Sequence, residues 1–209
     1  GFGVAQRGRT PGHENVVIEG VDIIAAPSQG MYAYVLRDGE TEPPPAIKEL
    51  WATYRGIDGI LAEHVKAGVT PREIVRNYTA IFDEEGIILR DVQLHLFTPR
   101  NDFSAYTAGF DSEKIHLNID LHAMAKGARQ RKFENYFGPR IGSNGPEWMW
   151  DIPLPLNHHF VLEYFIYMPW PSSEHENQYL FWWDHEQAIA TSSGVEYLSA
   201  PQEELYLIK

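Results

Sequence analysis

Glu163 is the residue whose setting most strongly indicates chemistry. It lies within residues 160–167, where apolar side chains precede it and mostly apolar ones follow. A strand this apolar is expected to be covered on both faces, and a desolvated carboxylate is costly unless it is paired or bound to a metal. We therefore interpret Glu163 as a candidate functional carboxylate. The alternatives are an edge strand with Glu163 facing water, or a structural pair with an arginine.

The nine histidines are the second group that could exchange protons or bind a metal near neutral pH. His122 ends a candidate strand, whereas His185 and Glu186 follow an aromatic run. Such residues can converge in space, although none of them forms a compact metal-binding pattern such as H-E-x-x-H. For each histidine the alternative is a surface position or a structural hydrogen bond.

The sequence lacks the patterns that are typical of acyl-serine, phosphoryl-transfer, dinucleotide and cysteine chemistry. The chain has no G-x-S-x-G elbow, no P-loop, no G-x-G-x-x-G fingerprint and no cysteine. Its net charge of −12 argues against nucleic acid and anionic membrane surfaces as partners. No apolar run approaches the ~18–20 residues that would span a bilayer, and no leader pattern opens the sequence. We therefore expect a cytoplasmic protein.

The elements that position these residues follow from hydrophobic periodicity. Apolar residues recur every three or four positions over residues 47–65, which predicts a long amphipathic helix. Thr70, Pro71 and Glu73 form the pattern of a capping box, so a second helix is predicted from there to Gly86. No linker divides the 209 residues, and we predict one domain over residues 1–209.

Short apolar runs between turn residues predict strands before and after the two helices, which gives an α+β class. The candidate strands are residues 16–18, 22–26, 31–36, 87–89, 92–97, 116–121, 160–168, 178–183, 187–191 and 195–198.

The order of these elements resembles the pita-bread superfamily of creatinase, prolidase and methionine aminopeptidase. The resemblance covers residues 11–209 but lacks the family's opening elements. It implies a curved, mainly antiparallel sheet with helices on its outer face and a site on the concave side. Five stretches carry it: the helix pair around 66–74, the glutamate strand at 157–164, the closing hairpin at 185–198, the strand pair at 20–37 and the Gly-Pro-Arg-Ile-Gly loop at 138–142.

Two departures from the family concern its metal site. The metallopeptidases of this family hold two metals with two Asp, one His and two Glu. In this sequence the first Asp position falls on Pro27 or Ala26, and the second falls on Tyr34. None of these residues supplies a carboxylate, so we expect no two-metal cluster.

The remaining ligand positions are kept in part. His122 is the best match to the family's metal histidine, and His95 is a weaker one. Glu163 is kept, and the last Glu falls on His185 or, with a shift of one residue, on Glu186. The resemblance therefore implies a site of His122, Glu163 and one of the last two residues, which holds at most one divalent ion and could hold none.

The resemblance also implies roles and a reaction. It makes His122 and Glu163 catalytic, and His13, Tyr34 and Arg37 substrate-binding. The implied activity is hydrolysis of a C–N bond in a small molecule or short peptide, because creatinase itself works without metal and uses a histidine as proton shuttle. The alternatives are a non-catalytic binding module and an active Xaa-Pro-type metallopeptidase. The family is commonly dimeric, so a homodimer is expected.

Tyr34 gives the most specific geometric prediction. Strand alternation places Tyr32, Tyr34 and Leu36 on one face. If that face is the concave one, the ring fills the volume of the missing metals and its hydroxyl bonds Glu163 or His122. The alternative is that Tyr34 is ordinary core on the opposite face.

Overall fold

The structure is a computed structural model that describes residues 16–17, 23–26, 31–91, 111, 113–119, 121–123, 150–169 and 179–208. His13, Pro27, the predicted strand 92–97 with His95, and the loop 138–142 lie outside the described residues.

Two helices follow one another at the positions that the periodicity predicts. Helix α1 spans Pro45–His64 and helix α2 spans Pro71–Glu84, each with a proline in its first turn. Thr70 and Glu73 form the predicted capping box, since each side chain accepts from the other residue's backbone N–H, at 3.3 and 2.9 Å. A left-handed Gly86, with φ 71°, follows α2.

The described strands form two sheets. They are β1 Val16–Val17, β2 Ile23–Ala26, β3 Met31–Val35, β4 Ile88–Asp91, β5 His116–Ile119, β6 His122–Ala123, β7 His158–Pro169, β8 Tyr179–Ala190, β9 Val195–Tyr197 and β10 Tyr206–Ile208. The larger sheet has the order β4-β5-β7-β8-β9 with β6 beside β7, and the smaller has the order β1-β2-β3-β10. Parallel pairing occurs only in β4–β5 and β3–β10 among the described strands, so the predicted mainly antiparallel character is observed.

Strand β8 differs from its prediction. Two short strands at 178–183 and 187–191 were expected, with His185 and Glu186 between them. The structure has one strand of 12 residues that pairs with β7 at every position. The polar residues Asp184, His185 and Glu186 continue the strand because β7 offers a backbone partner to each of them.

Helix α1 packs on one face of the larger sheet, which we call the helix face. This face carries Leu162, Tyr164, Trp182 and Asp184, whereas Glu163 and His185 belong to the opposite face. Four aromatic rings from three elements make its core. The ring centroids of Trp182 lie 5.7 Å from Trp51, 5.3 Å from Tyr54 and 4.5 Å from Tyr32 of β3.

The described chain combines two helices with two mixed sheets, which is compatible with the predicted α+β class. Within the part of the chain that the structure describes, neither helix is both long and apolar enough to cross a bilayer.

Candidate functional site

Glu163 and His185 are direct partners in the β7–β8 register. Cross-strand partners lie on the same face with Cβ atoms about 5 Å apart, so the carboxylate and the imidazole are neighbours. Glu163 is only 7% exposed, and β7 is flanked by strands on both sides. The alternative of an edge strand with Glu163 facing water is therefore wrong.

Two further polar residues flank Glu163 in the register. His122 of β6 is paired with Val161, two residues before Glu163, and Asn118 of β5 is paired with Phe165, two residues after it. Asn118 is buried, and its Oδ1 atom has no hydrogen-bond partner within the described chain. The register thus gathers His122, Asn118 and Glu163 on three neighbouring strands.

The register also separates the two candidates for the last ligand position. Glu186 is paired with Leu162 and so belongs to the helix face. His185, not Glu186, shares a face with Glu163. A site that includes both glutamates on one face is excluded by this pairing.

The helix face carries a buried polar network that was not predicted from the sequence. Asp58 of α1 and Asp184 of β8 are each 2% exposed. The hydroxyl of Tyr164 lies 2.9 Å from an oxygen of each carboxyl group. Three further groups complete the network: the Tyr54 hydroxyl at 2.7 Å from Asp184, the Tyr197 hydroxyl at 2.9 Å from Asp58, and the Arg55 guanidinium at 2.9 Å from Asp58.

The network has fewer hydroxyl hydrogens than contacts. Tyr54, Tyr164 and Tyr197 supply one hydroxyl hydrogen each, but they make four short contacts with carboxyl oxygens. Protonation of Asp184 would supply the fourth hydrogen. Burial and the charge of Asp58 raise the pKa of Asp184 to about 6, so Asp184 takes up this proton as the pH falls below that value.

Glu186 borders the same network. Its pKa is raised to about 7, first by burial and then by the charges of Asp184 and Asp58, with Arg55 opposing. Its carboxylate makes no hydrogen bond or ion pair to any described residue.

The network holds the strand segments that carry the Glu163–His185 pair. Tyr164 follows Glu163 on β7, and Asp184 precedes His185 on β8. The backbone N–H of His185 donates to Oδ1 of Asp184 at 2.7 Å. Asp58 of α1 therefore holds β7 through Tyr164, and Tyr54 of α1 holds β8 through Asp184. A signal for Asp58 existed in the sequence, since it lies four residues after Tyr54 on the apolar stripe of the helix.

Tyr34 lies on the strand face that it shares with Tyr32, whose ring packs against Trp51 and Trp182 on the helix side. It is 1% exposed, and its hydroxyl donates to Oε2 of Glu40 at 3.0 Å. The prediction named Glu163 or His122 as the partner of this hydroxyl, whereas the bond that the structure records goes to Glu40.

Arg37, the other described residue that was predicted to bind substrate, is exposed. Its backbone N–H donates to the same Glu40 oxygen at 2.9 Å.

Among the described side chains, no group of three His, Asp or Glu converges in a way that could hold a metal ion. The side chain of His122, the first predicted ligand, lies outside the described side chains, so the predicted single-ion site stays a prediction.

Comparison with known proteins finds distant similarity to solved structures and nothing else. No protein-family model matches the chain. No curated protein matches it either. Solved structures that align with 85% of the chain are an X-Pro aminopeptidase from Thermotoga maritima MSB8 (17% identity, TM-score 0.48), the dipeptidase PepE from Mycobacterium ulcerans (13%, 0.45) and an Xaa-Pro dipeptidase from Bacillus anthracis (17%, 0.46).

The chain covers 36%, 34% and 36% of those three proteins, about a third of their lengths. With TM-scores below 0.5, these likenesses assign neither a family nor a function to this chain.

Proposed function

We propose that this chain is a creatinase- or aminopeptidase-like protein of pita-bread type that hydrolyses a C–N bond in a small molecule or short peptide. One observation supports the proposal above the others. A buried carboxylate, Glu163, stands opposite a partly exposed imidazole, His185, on the sheet face away from the helices.

This pair has the composition of a general acid–base centre. A neutral imidazole can accept a proton from water, and a buried carboxylate beside it stabilises the imidazolium and orients the ring. Water then loses a proton to His185 while its oxygen forms a bond to the carbon. His185 returns the proton to the nitrogen as the C–N bond breaks. In the proposal His122, two positions along the register, adds a second proton carrier.

The test is a hydrolysis assay on a panel of guanidino compounds and Xaa-Pro dipeptides, read as released amine by chromatography. Glu163→Gln and His185→Asn should each lower kcat/KM by about 100-fold or more, the usual effect of removing a general acid–base group. Glu196→Gln is the matched control, because Glu196 is an exposed glutamate on β9 of the same sheet. Activity that survives both site variants, or falls equally in the control, contradicts the proposed centre.

Two alternatives to the proposal are a non-catalytic binding module and an active Xaa-Pro-type metallopeptidase. An assay with chelator and with added Mn²⁺ or Zn²⁺ separates the candidates. Activity that needs the added metal would indicate an Xaa-Pro-type metallopeptidase with ligands beyond the described residues. Ligand binding without turnover under every condition would indicate a binding module.

A further inference from the structure

A groove of about 850 Å³ runs along the edge of β8. Three consecutive strand residues, His185, Glu186 and Gln187, all line it. Successive strand residues point to opposite faces, so a groove that touches all three follows the edge of the strand rather than either face. Residues 198–204 and Tyr206 form the other wall.

No described strand lies beside the part of the β8 edge that lines this groove. Within the described strands, β8 pairs with β9 only over residues 188–190, and one further bond joins Leu198 N–H to the Gln187 carbonyl. The backbone N–H of His185 is capped by its neighbour Asp184. The groove thus occupies the space beside β8 where a further strand would lie.

The lining of the groove is acidic and partly apolar. Its charged side chains are Glu186, Glu203 and Glu204, and no lysine or arginine is among the described lining residues. Leu198 and Tyr206 contribute large exposed apolar surfaces, at 51% and 55% exposure. Glu186 is partly buried and has no hydrogen-bonding or ionic partner among the described residues.

These features determine the class of occupant. A metal ion does not fit, because no three acidic or histidine side chains of the described chain converge on one point. The volume lies within the range of ligand-binding pockets and far exceeds one ion. Carboxylates bind ammonium and guanidinium groups, while exposed apolar surface accommodates the aliphatic stems of lysine and arginine. The Tyr206 ring can accept a cation on its face.

We propose that this groove binds a peptide segment that carries lysine or arginine side chains. The segment lies extended beside β8, its cations face Glu186, Glu203 and Glu204, and its side-chain stems pack on Leu198 and Tyr206. The site extends beyond the proposed hydrolase activity, since binding requires no turnover. His185 lines the groove and also faces Glu163, so a bound segment passes beside the proposed proton-transfer pair.

The test is fluorescence anisotropy with a short labelled peptide of alternating lysine and serine, and with the matching glutamate–serine peptide. The groove variant is Glu203→Gln with Glu204→Gln, since both side chains are exposed and only their backbone carbonyls accept bonds that the structure records. Glu84→Gln with Glu85→Gln is the control, because this exposed pair at the end of α2 changes the net charge equally.

The lysine peptide should bind the unaltered protein, and its Kd should rise about tenfold in the groove variant but less than about twofold in the control. The glutamate peptide should not bind. Equal weakening in the two variants would mean attraction by net charge alone and would overturn the site. Competition by spermidine as strong as by unlabelled peptide would overturn the peptide assignment. Hydrolysis without peptide binding overturns the groove alone, whereas binding without hydrolysis overturns only the proposed reaction.

Discussion

The Tyr164 hydroxyl lies between two carboxyl groups that water hardly reaches. With both groups ionised, it could donate to only one of them, and the other contact would place a lone pair against a carboxylate. Arg55 offsets one negative charge at 2.9 Å from Asp58. A proton on Asp184 offsets the other below about pH 6, so the network that joins α1 to the sheet carries no net charge only in that range.

Replacement of Asp184 by asparagine should change how stability depends on pH. The pKa of Asp184 rises from 3.8 to about 6 on folding. Between these values the unfolded chain releases the proton and the folded chain keeps it, so the free energy of unfolding falls as pH rises. The loss is complete above about 6 and amounts to ~3 kcal/mol for this shift. Asp184→Asn should remove this part of the slope, measured by urea denaturation across the range.

A second titrating residue and a control variant show whether the lost pH dependence belongs to Asp184. Glu186, whose pKa is also raised, should keep part of the slope in the variant, at lower pH than in the unaltered chain because the charge of Asp184 is gone. Asp151→Asn is the control, because Asp151 is exposed, pairs with Arg72 and has a pKa that is lowered by that hydrogen bond. If Asp184→Asn retains the full slope between 3.8 and about 6, Asp184 does not hold the proton.

At the scale of elements, α2 begins where its residues provide their own cap. Thr70 and Glu73 satisfy each other's backbone N–H groups, and Pro71 occupies a position where no N–H is needed. All of this information lies within four consecutive residues, which is why the start of the helix could be predicted from the sequence.

Thr70→Ala should lower the free energy of unfolding by about 1 kcal/mol, because the N–H of Glu73 loses its acceptor. Urea denaturation at neutral pH measures the change. Thr79→Ala is the matched control, since Thr79 lies inside α2 and its hydroxyl bonds only the Val75 carbonyl one turn earlier. Equal losses in the two variants would show that the cap adds no stability beyond an ordinary threonine.

The limits of sequence-based prediction follow from the same elements. Helix α1 was predicted from its apolar spacing, but that spacing cannot reveal that Asp58, on the same stripe, meets Tyr164 and Tyr197 from strands more than 100 residues away. Strand β8 was predicted in two pieces because its polar centre interrupts the apolar pattern. Only the pairing with β7 shows that Asp184 faces α1 while His185 faces Glu163.

The whole molecule presents an apolar strand at the edge of its smaller sheet. Tyr206, Leu207 and Ile208 of β10 are 55%, 47% and 39% exposed, and β10 pairs only with β3 among the described strands. Exposed apolar edges favour association with another strand. We propose that two copies pair through Leu207 and Ile208 of this edge, which leaves Tyr206 accessible in the groove beside β8.

Light scattering at micromolar concentration should therefore give the mass of a dimer. Leu207→Lys should shift the mass toward the monomer, because a charged side chain at a strand edge opposes pairing. Leu156→Lys is the control, since Leu156 is 63% exposed but lies in a turn before β7. A monomeric mass for the unaltered chain contradicts the dimer, and a shift in the control alone would place the contact elsewhere.

The long-range contacts of α1 have a consequence for folding during synthesis on the ribosome. Tyr54 meets Asp184 across 130 residues, and Trp51 donates to the Glu203 carbonyl across 152. At the usual pace of translation, the interval between emergence of the helix and of these partners is on the order of ten seconds. Throughout that interval the apolar stripe of α1 can reach β3 and α2 but lacks the partners that β8 and the segment around Glu203 supply. A nascent chain that is arrested before β8 is synthesised should therefore bind chaperones that recognise exposed apolar helices.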